Sequence, residues 1–203
     1  MNKPIEAIIF DVGGVLVRTA DHSGRAVWEK RLGLASGGAE AVVLNSEMGH
    51  RAQRGEITNE ALWNWVGKFF ELGDELPAFR QDFWRGDLVD EKLVALIRKL
   101  RRSYKLAIIS NATDALLETL AVYSLLDEFD LVVGSAYEGV MKPNRLIYDR
   151  TLERLGSPAE KSVFIDDAPA NVAGARALGM NAILFKPMMD LAAELTTFGV
   201  NVL

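Results

Sequence analysis

Along the chain, short apolar runs alternate with stretches in which apolar positions recur at helical spacing. Ala7-Ile-Ile-Phe10, Leu106-Ala-Ile-Ile109, Leu131-Val-Val133, Val163-Phe-Ile165 and Ala182-Ile-Leu-Phe185 contain no polar side chain. Runs of this kind suit strands buried on both faces of a parallel sheet. Helical periodicity fills roughly 90–101, 114–123, 145–155 and 169–178, with a fainter pattern near 189–196. The alternation predicts an open parallel α/β sheet with helices on both faces. Ligands of such sheets sit beyond the carboxyl ends of the strands, where the strand order reverses.

Residues 17–87 interrupt this pattern. No strand is expected there; helices are expected over 23–32, 39–49, 58–71 and 77–84. Thr58 stands where a cap for the third helix belongs, with Glu60 in its first turn. Leu62, Trp65, Val66 and Phe69 then follow the i, i+3, i+4, i+7 spacing of a buried stripe. The four tryptophans (Trp28, Trp63, Trp65 and Trp84) all fall in this segment, where bulky aromatics would fill a small helical core. The organisation expected is a Rossmann-like core, 1–16 and 88–203, with a helical cap, 17–87, inserted after the first strand.

Composition changes the picture mainly by exclusion. A chain of 203 residues buries about 70% of its unfolded surface and needs no covalent staple. With no cysteine, disulfides, zinc–thiolate sites, iron–sulfur clusters and thiol nucleophiles are excluded, which agrees with a reducing cytoplasm as the expected location. A net charge of -5 argues against nucleic acid. The one basic stretch (Arg98, Lys99, Arg101, Arg102) follows the stripe Leu93, Leu96, Ile97, Leu100 and reads as the solvated end of a helix. No apolar run approaches the roughly 20 residues of a membrane span. Glu6 and Asp11 interrupt the first apolar run and no small-residue cleavage site follows, so no signal peptide is expected. The sequon Asn111-Ala-Thr113 is discounted for the same reason.

The residues that follow the apolar runs carry the candidate chemistry. Asp11-Val-Gly-Gly-Val15 follows the first, Ser110-Asn111 the second, and Asp166-Asp167 the fourth, while Met141-Lys142-Pro143 lies in a loop. Together they propose three carboxylates, a hydroxyl and an ammonium around one point. Clustered carboxylates repel one another by on the order of several kcal/mol per close pair. A divalent cation and Lys142 would relieve that repulsion, and hard oxygen ligands favour Mg2+ over zinc.

The ordered set DVGGV, SN, KP and DD, with a helical insertion after the first motif, resembles the haloacid dehalogenase superfamily. Within it, the chain is similar to the phosphatase-like subgroup with a small cap between the first and second motifs. The likeness includes Arg54-Gly-Glu-Ile-Thr58 in the cap and extends through Gly179. It implies that Asp11 is the nucleophile, forming an aspartyl-phosphate that water then hydrolyses. Asp11, the carbonyl of Gly13, Asp167 directly, and Asp166 directly or through water would ligate magnesium. Ser110, backbone N–H groups near Asn111, and Lys142 would hold the phosphoryl group of a small phosphorylated metabolite, a sugar phosphate being one candidate. The chemistry implied is positioning and electrostatics around an in-line transfer, in a monomer or homodimer.

One position departs from the family pattern. Its phosphatases usually carry a second aspartate two residues after the nucleophile, as the acid for the leaving group; here that residue is Gly13. Asp21 or His22, at the entrance to the cap, are candidate replacements, against a plain helix-capping cluster with Ser23. Without the acid, leaving groups that need little protonation, such as an anomeric hydroxyl or an aryl alcohol, should react best. Two alternatives remain. One is a 2-haloacid dehalogenase, disfavoured by Asp166-Asp167; the other is a non-catalytic phosphate-binding protein, which Gly13 favours. A mutase would need the missing aspartate. His50, Arg51 and Arg54 read either as anion contacts or as a solvated helix end, Asn171 as a carboxylate orienter or a surface residue, and Asp114 as a helix start.

Overall fold

All four side chains of the run Ala7–Phe10 are buried, so this strand can only lie mid-sheet with a layer on each face. The computed structural model describes residues 4–202; residues 1–3 and 203, assigned above to the core unit, lie outside the described residues. In chain order its elements begin with β1 (Ala7–Phe10), β2 (Val17–Thr19), α1 (Ser23–Arg31), α2 (Gly38–Val43), α3 (Glu47–Gln53), α4 (Asn59–Phe69) and α5 (Leu76–Trp84). There follow β3 (Asp87–Val89), α6 (Glu91–Leu100), β4 (Lys105–Ser110), α7 (Leu116–Val122), β5 (Leu131–Gly134) and α8 (Ser135–Glu138). The chain closes with α9 (Arg145–Leu155), β6 (Ser162–Asp166), α10 (Pro169–Ala177), β7 (Asn181–Leu184) and α11 (Leu191–Thr197).

Five strands form a parallel sheet of order β5-β4-β1-β6-β7. Alternate residues of each strand serve opposite faces. Ile8, Phe10, Leu106, Ile108, Val163 and Ile165 pack against α6, α7 and α11 through Ile97, Leu120 and Leu195. Ala7, Ile9, Ala107, Ile109 and Phe164 face α9 and α10 through Ile147, Tyr148, Leu152 and Val172. The chain leaves β1 for β4 and β5 on one side and returns to β6 and β7 on the other, which puts the reversal of strand order at the end of β1.

The helical segment has its own core, in which Trp63 meets Phe79 and Phe83 edge-on with centroids 6.2 and 5.7 Å apart. Thr58 caps α4, accepting the Ala61 N–H at 3.1 Å. The expected stripe is partly wrong: Leu62 and Val66 are buried, but Trp63 takes the inner position and Phe69 is exposed. Trp65 is half-buried against the edge of this core, and the exposed Phe69 lies against it with ring centroids 5.0 Å apart. The expected helix over 39–49 is two helices, because Ser46 turns to extended backbone and caps α3 by accepting the Gly49 N–H. Where no strand was expected, β2 and β3 pair antiparallel, Val17 opposite Val89 and Thr19 opposite Asp87. Three residues of mixed polarity give no readable period; what holds this ribbon is Thr19 Oγ1 donating to Asp87 at 2.5 Å and Arg18 bonded to Asp90.

Candidate active site

Register along β1 decides what meets beyond its end. Phe10 stands opposite Ile108 of β4 and Ile165 of β6, so Asp11 emerges level with Ile109 and Asp166, one residue short of Ser110. The Asp11 N–H donates to the Ile165 carbonyl at 2.9 Å, and the Val12 N–H donates to Asp11 Oδ1 at 2.7 Å. Lys142 Nζ lies 2.8 Å from Asp11 Oδ1 and 2.6 Å from Asp166 Oδ2, and also donates to the Ile109 carbonyl at 2.9 Å. Its side chain is 1% exposed. An ammonium so placed satisfies each of its three donors on fixed acceptors. Asp11 Oδ2 has no partner among the described residues.

Asp166 is fully buried, and several donors hold it. Asn171 Nδ2 reaches both carboxylate oxygens, at 3.1 and 3.0 Å, and the Ala168 N–H reaches Oδ1 at 2.8 Å. Asn171 is therefore a carboxylate orienter. It is steadied in turn by Tyr148, whose buried hydroxyl donates to the Asn171 carbonyl at 2.9 Å. Burial, with the charges of Asp166 and Asp11 nearby, raises the Tyr148 phenol above its usual range and keeps it a donor. Asp167 is the exposed member of the acidic pair, its carboxylate resting against Gly14. Partial desolvation and the neighbouring Asp166 push its carboxyl above the ordinary value.

Burial pushes the Asp11 carboxyl up most strongly; Lys142 opposes this and the Asp166 charge adds to it, leaving Asp11 at about 6. One oxygen each from Asp11, Asp166 and Asp167 lie within 4.8 Å of one another. This donor set, all hard carboxylate oxygens of which two resist ionisation, fits a divalent cation at its centre.

Ser110 is buried at the end of β4, and its hydroxyl has no partner among the described residues. Asn111 turns its side chain inward: Oδ1 accepts the Lys142 N–H at 2.8 Å and Nδ2 donates to the Lys142 carbonyl at 3.0 Å. At Gly13, nothing lies within 4 Å of where a Cβ would stand, so the position faces open space.

The other candidates fall elsewhere. Asp21 accepts from the Ser23 N–H and hydroxyl at 2.8 and 2.9 Å, and these bonds hold its carboxyl below the usual range, which suits a cap and not an acid. Arg51 and Arg54 end α3 and pair with Glu56, Arg54 also with Glu47. Asp114 precedes α7 and is not part of it; its Oδ1 accepts the Asn59 N–H from α4 at 2.7 Å. Sequence reasoning missed Tyr148 and Ser135, the latter fully buried with its hydroxyl on the Gln53 carbonyl at 2.6 Å, because neither lies in a motif and both act through contacts distant in sequence.

The chain is 31% identical over 200 residues to a sesquiterpene phosphatase, astK, of Aspergillus oryzae, covering 96% of this chain and 97% of that protein. Its fold matches a HAD-like family hydrolase from Porphyromonas gingivalis with a TM-score of 0.78 at 23% identity, over 98% of this chain and 100% of the other. It also matches the HAD family enzyme bt-2542 of Bacteroides thetaiotaomicron, solved in complex with magnesium and inorganic phosphate, with a TM-score of 0.79 at 20% identity over 94% and 98% of the two chains. No helix among the described residues is long and apolar enough to cross a membrane. Because the family model for haloacid dehalogenase-like hydrolases matches residues 5–179, most of its length, the chain belongs to that family and is a hydrolase.

Proposed function

We propose that the protein is a magnesium-dependent phosphomonoester hydrolase acting on a small phosphorylated metabolite, with Asp11 as nucleophile. The observation that carries this reading is the buried Lys142 ammonium held between Asp11 and Asp166 with Asp167 alongside. Asp11 Oδ1 is anchored by Lys142 and the Val12 N–H, which leaves Oδ2 to attack phosphorus. Ser110, with its unpaired hydroxyl, donates to a phosphoryl oxygen, and Lys142 offsets the negative charge that develops beside Asp11. Asp11, Asp166, Asp167 and the Gly13 carbonyl would hold Mg2+, which when bound neutralises charge on the phosphoryl oxygens. Phosphate release from p-nitrophenyl phosphate, assayed with Mg2+ and with EDTA, tests the reading; release equal in both, or absent in both, overturns it. The relative named as a sesquiterpene phosphatase supports phosphoryl transfer as the chemistry. In this proposal residues 1–16 and 88–203 make up the core that carries the chemistry, and 17–87 the helical cap.

Two expected results follow from the glycines of the first loop. Gly14 has a φ of 76° and a Cβ there would collide with the Asp167 carboxylate. Gly14→Ala should displace Asp167 and weaken Mg2+ binding by about 10–100-fold, read by calorimetric titration. At Gly13, lack of an acid predicts steep dependence on the leaving group, with aryl phosphates and sugar 1-phosphates well ahead of alkyl phosphates. The open space at this position admits a side chain, so Gly13→Asp should speed alkyl phosphates by about 10²-fold or more and aryl phosphates far less. Rates independent of leaving-group acidity in the parent protein would contradict this.

A further inference from the structure

Contacts between the helical segment and the sheet converge on the loop that follows β4. Ser135 is fully buried and its Oγ joins three separate stretches of chain. It accepts the Ala112 N–H at 3.0 Å and donates to the carbonyl of Gln53, the last residue of α3, at 2.6 Å. Two residues after Gln53, Gly55 lies against the Ala136 carbonyl, with a φ of 70° and no room for a Cβ. The start of α4 meets the same loop: the Asn59 N–H donates to Asp114 Oδ1 at 2.7 Å, and Thr113 Oγ1 donates to Asn59 Oδ1 at 3.2 Å. The segment 53–59 therefore rests on 112–114 and 135–136, and Ala112 is two residues from Ser110.

We propose that Ser135 and Asp114 are positioning residues that couple the helical segment to the phosphate-binding loop, so that an anion held at Ser110 and Asn111 also fixes residues 53–59 above it. The coupling rests on the phosphate-binding role given to that loop above. Neither residue touches substrate. A phosphate on the loop restricts 110–114, and the Ser135 and Asp114 bonds pass that restriction to the Gln53 carbonyl and the Asn59 N–H. Without the bonds the two parts would order independently.

Amide hydrogen exchange on the full chain, with Mg2+ and with or without inorganic phosphate, tests the coupling. In the parent protein phosphate should slow exchange in both 110–116 and 53–59. A transmitted hydrogen bond should slow 53–59 by about three- to ten-fold. In Ser135→Ala and in Asp114→Ala, slowing at 110–116 should persist while slowing at 53–59 is lost. Asp114 lies at the surface, so its variant keeps the test open if removal of the buried Ser135 hydroxyl impairs folding. Slowing confined to 110–116 in the parent, or retained at 53–59 in the folded variants, overturns the coupling alone. Slowing in neither segment of the parent overturns the phosphate-binding reading and the coupling with it.

Discussion

Asp11→Asn should eliminate turnover, by about 10⁴-fold or more, and at the same time make the metal-free protein more stable. The first effect removes the attacking oxygen. The second follows from the charge of the site. Burial, against the pull of Lys142, holds the Asp11 carboxyl at about 6, above its ordinary value of 3.8. The folded chain then holds this proton more tightly than the unfolded chain, so metal-free stability falls as pH rises from about 4 to about 6 and stays low above that. Ionising Asp11 in the fold costs about 3 kcal/mol at neutral pH, of which an amide recovers part, because Lys142 keeps Asp166 and the Ile109 carbonyl. Thermal unfolding without metal should show the variant several degrees higher at pH 7.5 and unchanged near pH 4. A gain of the same size at both pH values would show that the charge is not its cause.

Lys142→Met should have the opposite effect. It leaves two buried carboxylates, Asp11 and Asp166, facing each other without their common cation. Removing one member of a buried ionic group costs about 3–5 kcal/mol, on the order of 10 °C in unfolding temperature for a chain of this size. The loss should be larger at pH 8 than at pH 5, since near pH 5 Asp11 takes up a proton and no longer needs a counter-charge. Turnover should fall with it, because the same ammonium is the group proposed to offset charge at the phosphoryl group. Denaturation of the variant at the two pH values provides the check, and an equal loss at both would point to packing of the lysine stem instead.

These opposed expectations come from residues that a reader of the sequence could pair only in part. The strands were legible because β1, β4 and β6 are sealed on both faces and so tolerate almost no polar residue. Their ends were legible for the same reason, since the first polar residue after each run is forced to the rim. The meeting of Asp11, Lys142 and Asp166 was expected from motifs, yet Lys142 sits on no strand, and its side chain follows from Asn111 gripping its peptide on both sides. That grip gives Asn111 a side-chain task that motif reading did not contain. Asn171 could be read only as a carboxylate orienter or a surface residue, and Tyr148 was not singled out at all. An asparagine five residues past an aspartate has no distinctive pattern until α10 turns it back over β6. β2 and β3 failed because three residues are too few for any period to show, and the stripe on α4 held at Leu62 and Val66 but missed the buried Trp63 and wrongly included the exposed Phe69.

The β2–β3 ribbon has a consequence for how such a chain is built and rebuilt. It brings residue 17 opposite residue 89, so everything between leaves and rejoins the sheet through one narrow double stem. A segment whose two ends already touch can be exchanged like a cassette: excised and replaced by a tight turn, or by a stem of equal width from a relative, without stretching the path from β1 to α6. Asp11, Asp166 and Asp167, the carboxylates proposed for the chemistry, and Lys142 lie wholly outside that stem, so a graft would exchange the helical segment while leaving those groups in place.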